Sequence, residues 1–110
     1  MGFTAIPRDE AVVVRIDDER LDITTAPQLK LELRRLLEAG TRTLIVDFAH
    51  VSFVDSSGLG VLLSALRIAS RTGGDVRVIG LRPEVKAIFR LAQMHRVLEI
   101  FATEQEALAS

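Results

Sequence analysis

Short runs of hydrophobic residues alternate along this chain between the spacing of strands and the spacing of helices. Runs rich in β-branched and other apolar residues predict three strands, at Ala11–Ile16, Arg42–Phe48 and Asp75–Gly80. The second run is nearly continuous, which is typical of a central strand covered on both faces. Weaker patterns predict an extended segment that ends at Pro7, as a hairpin mate for the first strand, and a short late strand: Phe3–Ile6 and Val97–Phe101.

Four helices are predicted where apolar residues recur at intervals of three and four. Pro27 and Pro83 each lie in a predicted first turn, where the missing N–H costs little. The polar segment 17–22 is predicted to be a turn. The predicted helices run from Thr24 or Thr25 to Gly40, from the Asp55-Ser56-Ser57 cluster to Gly73-Gly74, from Pro83 to about Leu91, and over Glu104–Leu108 behind Thr103.

Strands that alternate with helices predict βαβ units with right-handed crossovers. The expected fold is therefore α/β, with a mixed, mostly parallel β-sheet packed against about four helices. With 110 residues and no linker or repeat, the chain is expected to form one domain over residues 1–110.

Composition and charge exclude several classes of partner. Fourteen basic and fifteen acidic residues give a net charge of −1, so no overall field attracts nucleic acid or anionic lipid. The chain has no cysteine, which excludes disulfides and thiolate metal sites. No leader pattern and no apolar segment of about 20 residues is present, so we expect a cytoplasmic protein without membrane insertion.

The segment Val51–Leu63 contains candidate functional residues, because Asp55-Ser56-Ser57-Gly58 interrupts an otherwise apolar run. Ser and Asp at a helix start commonly do no more than cap the first N–H groups. One residue is enough for that purpose, however, and Gly58 and Gly60 each weaken a helix by up to about 1 kcal/mol. Glycines at this position suggest that another group approaches the backbone closely.

The residues do not support catalysis or metal binding. A nucleophile elbow needs Gly two residues before its Ser, whereas Val54-Asp55 precede Ser56. His50 and His95 are better explained as structural or surface residues than as members of a triad. The cluster lacks the Lys of a phosphate-binding loop, and the acidic turn with Asp22 lacks a calcium-loop pattern. We therefore predict no catalytic residue, no metal and no cofactor.

A modified serine is the remaining hypothesis. A hydroxyl at an exposed helix N-terminus is accessible to a kinase, and phosphate adds about −1.5 to −2 charges at neutral pH. The helix dipole tolerates that charge within the protein. At a partner interface the phosphate would add to the charge of Asp55 and would have to be desolvated, which disfavours docking.

The sequence resembles the STAS domain, and specifically the bacterial anti-sigma factor antagonists. The resemblance extends from Val12 to about Leu108 and is most specific in "LIVDFAHVSFVDSSGLGVLLSAL". It implies that Ser56 is the phosphorylated serine and that Asp22 is the acidic loop residue facing it. It also implies a partner-binding surface formed by Asp22, Asp55, Ser56, Ser57, Gly58, Leu59 and Gly60, with Leu63 at its rim.

The resemblance implies partner switching by a protein that is not an enzyme. The unphosphorylated antagonist binds an anti-sigma factor that is also a serine kinase, and the sigma factor is released. Phosphorylation by that kinase ends binding, and a serine phosphatase restores it. Two departures from the family pattern are Glu19, where Gly is usual three residues before Asp22, and the segment "LAQMHRV" after the third helix.

Two other functions are compatible with the residues. A STAS domain can be a constitutive subunit of a lipid-transport complex or a sensory scaffold, in which Ser56 would be a helix cap. A small hydrolase would instead show turnover that disappears in Ser56→Ala.

Overall fold

The computed structural model describes residues 2–110 and places strands and helices in alternation. The strands in this part of the chain are β1 (Phe3–Arg8), β2 (Ala11–Ile16), β3 (Arg20–Leu21), β4 (Thr43–Asp47), β5 (Phe53–Val54), β6 (Asp75–Ile79) and β7 (Glu99–Phe101). The helices are α1 (Ala26–Glu38), α2 (Ser56–Thr72), α3 (Pro83–Leu91) and α4 (Glu104–Ala109), with a 3-10 turn at Met94–Arg96.

Five strands form the main sheet in the order β1-β2-β4-β6-β7. Only β1 and β2 pair antiparallel, while the other neighbours are parallel. β4 is the middle strand, and its residues Leu44, Ile45 and Val46 have no exposed surface. The predictions of a mostly parallel sheet, a buried central strand and four helices are confirmed.

Alternate residues of the strands face two unequal cores. Val14, Val46 and Val78 belong to the larger core, which α1, α2 and α3 cover. Ile45 and Ala107 belong to a small core on the other face of the sheet, where α4 packs. Within residues 2–110, no helix is long and apolar enough to cross a membrane.

The structure corrects two sequence expectations at the start of the chain. The extended segment does not end at Pro7, because β1 continues to Arg8 with Pro7 opposite Val12. Proline is acceptable there because β1 is an edge strand. The predicted turn at 17–22 is also too long, since Arg20–Leu21 forms β3.

β3 and β5 pair in parallel as a separate two-stranded sheet, which the pattern of hydrophobic residues does not predict. The carbonyl of Glu19 accepts hydrogen bonds from the N–H groups of Ser52 (2.8 Å) and Phe53 (3.2 Å). The carbonyl of Leu21 accepts one from the N–H of Asp55 (3.3 Å). This small sheet joins the loop before α1 to the loop before α2.

Candidate functional site

Asp22 and Asp55 are brought together by the two-stranded sheet. Leu21 pairs with Val54 in its parallel register, so each aspartate is the residue that follows its strand. α1 and α2 begin within a few residues of these positions. Two helix starts and two carboxylates therefore meet at one edge of the molecule.

Asp55 is the N-cap of α2. One oxygen of its carboxylate, Oδ1, accepts hydrogen bonds from the N–H groups of Ser57 (2.9 Å) and Gly58 (3.1 Å). Its extended backbone, with φ −113° and ψ −171°, is the usual conformation of a cap. The capping role therefore belongs to the aspartate and not to either serine.

The hydroxyl of Ser56 is accessible and unengaged. Ser56 is exposed and Ser57 is half-buried. Among the hydrogen bonds formed within residues 2–110, none involves the hydroxyl of Ser56 or that of Ser57. Because Asp55 already satisfies the N–H groups, the Ser56 hydroxyl is free to react without loss of the cap.

Asp22 is held in a network of its own. Its Oδ1 accepts hydrogen bonds from the hydroxyl (2.7 Å) and the backbone N–H (3.0 Å) of Thr24, and its Oδ2 accepts one from Nε of Arg20 (3.2 Å). These contacts lower the pKa of Asp22 below its ordinary value, chiefly through the Thr24 hydroxyl. Asp22 is therefore ionised at neutral pH, and its charge adds to that of Asp55.

The start of α1 confirms one of the two expected cap positions. Thr25 occupies the N-cap position, but its side chain makes no capping hydrogen bond. Its hydroxyl instead donates to the carbonyl of Arg20 (3.1 Å) and accepts from the N–H of Asp22 (3.0 Å). Thr25 thus fixes the loop that carries Asp22.

A shallow groove lies between the N-terminal turns of α1 and α2, beside the serines. We call it the α1–α2 groove; its volume is about 340 Å³, and its lining includes Ile23, Pro27, Lys30, Ser57 and Gly60. Ile23 is 71% exposed. Sequence reasoning missed Ile23, Pro27 and Lys30, although an isoleucine within a polar loop was a usable signal.

The two glycines at the start of α2 have different surroundings. A Cβ on Gly58 would lie 2.6 Å from Cγ2 of Val54 and 2.7 Å from the carbonyl oxygen of Leu21. A Cβ on Gly60 would meet nothing within 4 Å. The close approach expected from the sequence is therefore internal at Gly58, where α2 packs on β3 and β5, while Gly60 leaves open surface.

Burial divides the remaining predicted site residues. Leu59 is only 9% exposed and belongs to the core, so its side chain offers a partner little surface. Leu63 is 37% exposed and faces outward. The surface formed by Asp22, Ile23, Ser56, Ser57, Gly60 and Leu63 is called the docking surface below.

Within residues 2–110, neither histidine is hydrogen-bonded to Ser56, and the acidic residues form no metal site. His50 and His95 make no side-chain hydrogen bond to Ser56 there. No group of three His, Asp or Glu side chains in that range is arranged to hold a metal ion. The distinctive chemistry of this edge is a free hydroxyl beside two carboxylates.

Known proteins share this architecture. The sequence model of the STAS domain matches residues 3–107. The anti-sigma-B factor antagonist of Staphylococcus aureus is 25% identical over 91% of this chain and 92% of its own length. An anti-sigma factor antagonist from Mycobacterium paratuberculosis, 21% identical, has the same fold with a TM-score of 0.87 and covers 97% of this chain and 90% of its own.

The Bacillus protein SpoIIAA is a further structural relative. Its unphosphorylated form, described as an anti-sigma factor antagonist, is 26% identical with a TM-score of 0.75 over 97% of this chain and 94% of its own. Its phosphorylated form, described as a cell fate determinant, is 27% identical with a TM-score of 0.74 over 97% and 96%. One relative of this chain has therefore been solved in both states.

Proposed function

Because this protein belongs to the STAS domain family, we propose that it is an anti-sigma factor antagonist whose binding is controlled by phosphorylation of Ser56. The name of the Staphylococcus aureus relatives and the two solved forms of SpoIIAA support this proposal. The proposed protein is a regulatory binding module and a kinase substrate, and it carries out no catalysis itself.

The observation that supports the proposal most directly is that neighbouring residues at the start of α2 have separate roles. Asp55 satisfies the N–H groups of Ser57 and Gly58, while the exposed hydroxyl of Ser56 has no hydrogen-bond partner within residues 2–110. A kinase can therefore reach this hydroxyl without unwinding the helix. Phosphate at a helix N-terminus is also tolerated by the helix dipole, so the modified domain stays folded.

The switch acts on the docking surface. Without phosphate, the exposed Ile23 and Leu63 and the open backbone at Gly60 offer an anti-sigma factor an apolar contact. Phosphate on Ser56 adds about −1.5 to −2 charges beside the carboxylates of Asp22 and Asp55. Burying that charge in an interface costs more desolvation free energy than the new contacts contribute, unless the partner supplies matching cations. Binding is lost although the fold is unchanged.

The partners of this cycle are an anti-sigma factor with serine kinase activity and a serine phosphatase. The anti-sigma factor binds the unmodified docking surface and phosphorylates Ser56, and this modification releases the anti-sigma factor. The phosphatase removes the phosphate and restores binding. In this cycle the sigma factor is free while the antagonist occupies its anti-sigma factor.

Affinity capture from a lysate of the source organism tests the proposal. The baits are the proteins Ser56→Ala and Ser56→Asp, with Ser70→Asp as a matched control that places the same charge on an exposed serine at the far end of α2. We expect a kinase-like protein on the Ser56→Ala and Ser70→Asp baits and its loss from Ser56→Asp. Mass spectrometry of the native protein should find phosphate on the peptide that contains Ser56.

Two outcomes would contradict the proposal. Equal recovery of the partner on Ser56→Ala and Ser56→Asp would make Ser56 irrelevant to binding. Recovery of transporter subunits on all three baits would favour a constitutive structural subunit instead.

A further inference from the structure

A second recess lies on a different part of the molecule from the docking surface. It has a volume of about 460 Å³ and is formed where β6 and β7 end, beneath α3 and the 3-10 turn. In α/β proteins, the carboxyl ends of parallel strands are a common place for ligands. The size of this recess lies within the range of small-molecule sites. We call it the α3 cleft, and it shares no lining residue with the α1–α2 groove.

The α3 cleft combines cations with an apolar floor. Lys86, Arg90 and His95 line it, and no Asp or Glu does. Leu81 and Ile100, which are half-buried against the larger core, supply the apolar part of the lining.

The two permanent cations of the cleft are unpaired. Lys86 and Arg90 make no salt bridge and no side-chain hydrogen bond within residues 2–110, whereas other arginines such as Arg34 and Arg35 pair with a glutamate on their own helix. They stand four residues apart on α3, so they lie on one face of the helix and repel each other. The helix dipole favours Arg90 in the last turn but does not explain Lys86.

The local backbone places His95 beside the two cations. Gln93 adopts a left-handed conformation with φ 60°, which turns the chain sharply after α3. Met94 is buried, only 3% exposed, and anchors the 3-10 turn, while His95 stays exposed and lines the cleft. The segment in which the sequence departs from the family pattern is thus the one that completes this cleft.

We propose that the α3 cleft binds a small, soluble phosphate monoester that has an aromatic or other apolar body. A phosphate monoester carries up to two negative charges at neutral pH, which matches Lys86 and Arg90, and His95 provides a further hydrogen-bond donor. The apolar body would rest against Leu81 and Ile100. This site is independent of Ser56, so it goes beyond the proposed function and does not depend on it.

Phenyl phosphate is the probe for this proposal, and amide chemical shifts of the labelled full chain are the readout. We expect saturable shifts at Gly80, at Lys86–Arg90 and at Phe101–Ala102. We also expect phenyl phosphate to bind at least about fivefold more tightly than inorganic phosphate or benzyl alcohol, because each of these supplies only half of the contacts.

Charge removal provides the matched comparison. The double variant Lys86→Gln/Arg90→Gln should weaken binding about tenfold or more, since two charged hydrogen-bond donors are lost. Arg67→Gln/Arg71→Gln is the control, because these residues are also exposed and four apart on a helix and make no ion pair within residues 2–110, but they do not line the α3 cleft. The control should bind phenyl phosphate as the unmodified protein does, and Ser56→Asp should as well.

Several results would overturn the proposal. Equal weakening in both double variants would indicate unspecific attraction, and unchanged binding in Lys86→Gln/Arg90→Gln would place the site elsewhere. If inorganic phosphate bound as tightly as phenyl phosphate, the apolar body would contribute nothing to binding, and that part of the proposal would be wrong. Absence of saturable shifts would eliminate the site. Vesicles of phosphatidic acid that bind more tightly than phenyl phosphate would identify a lipid headgroup in place of a soluble ester.

Discussion

At the scale of single residues, the start of α2 separates structural stabilisation from reactivity. Asp55 accepts hydrogen bonds from the first N–H groups, and its neighbour Ser56 has an exposed hydroxyl that makes no hydrogen bond within residues 2–110. These two side chains can therefore be altered independently. Their separate effects on folding and on binding are measurable.

Asp55→Ala should lower the free energy of unfolding by about 1 kcal/mol, because two N–H groups lose their acceptor. Ser56→Ala should change it by no more than about 0.5 kcal/mol, as expected of an exposed side chain without special contacts. Urea unfolding of both variants gives the comparison. An equal loss in the two variants would mean that the serine shares the capping role.

Asp22 gives a prediction about pH. The hydrogen bond from the Thr24 hydroxyl is the main cause of its lowered pKa, so Thr24→Val should raise the pKa of Asp22 towards its ordinary value. Because the folded pKa lies below the unfolded one, ionised Asp22 stabilises the fold at neutral pH, and this contribution is lost as pH falls through the folded pKa. As pH falls below about 4, the free energy of unfolding of Thr24→Val should therefore decrease less than that of the unmodified protein.

Carboxyl chemical shifts followed by NMR give the Asp22 pKa directly. Thr24→Ser, which keeps the hydroxyl, is the control and should leave the pKa low. If Thr24→Val titrated like the unmodified protein, the backbone N–H of Thr24 and Nε of Arg20, and not the Thr24 hydroxyl, would be the groups that keep the pKa of Asp22 low.

At the scale of elements, the two glycines of α2 are a test of how the site is built. Gly58→Ala would place a methyl group within 3 Å of Val54 and Leu21, so α2 must shift away from the two-stranded sheet. We expect a loss of about 3 kcal/mol, typical of an overpacked core. Gly60→Ala meets open space and should instead stabilise the helix by up to about 1 kcal/mol.

Thermal unfolding separates the two glycine variants, and binding adds a second readout. If a partner packs on the backbone at Gly60, then Gly60→Ala weakens capture of that partner although the fold is more stable. Similar stability changes in the two variants would contradict the different surroundings of these glycines.

The long elements were predictable from the sequence because each has several turns or alternations of apolar residues. The apolar run at 42–48 predicted β4, and Gly73, whose φ is 80°, predicted the end of α2. β3 and β5 were not predictable, since two residues such as Phe53–Val54 are too short to show a period.

The candidate site was predictable in part. The motif around Ser56 was identified, but the surroundings of Asp22 and Asp55 depend on β3 and β5. The α1–α2 groove and the internal packing of Gly58 were missed for the same reason, because they arise from contacts between distant segments.

At the scale of the whole molecule, the sheet has a large core on one face and a small one on the other. Arg77 connects the elements around the small core. Its guanidinium is largely buried and donates a hydrogen bond to the carbonyl of Ala107 in α4, and it lies 3.3 Å from Glu99 and 3.5 Å from Asp75. The Ala107 carbonyl belongs to the last turn of α4, where the helix offers no partner.

Arg77→Met should therefore loosen α4 more than the rest of the fold. The buried carbonyl of Ala107 loses its donor, and we expect the free energy of unfolding to fall by about 1–3 kcal/mol. Hydrogen exchange should accelerate in α4 and β7 while α1 and α2 change little. Uniform acceleration across all elements would show that α4 unfolds only with the whole domain.

The two borders of the main sheet also limit how this molecule can associate. β1 contains Pro7, which has no N–H to offer, and Arg8 at its end forms a salt bridge to Glu104 of α4. β7 at the other border has only three residues. Neither border provides a long row of free backbone groups for an added strand, so recognition should proceed through side chains on the helices. Such borders also resist growth of the sheet into cross-β aggregates.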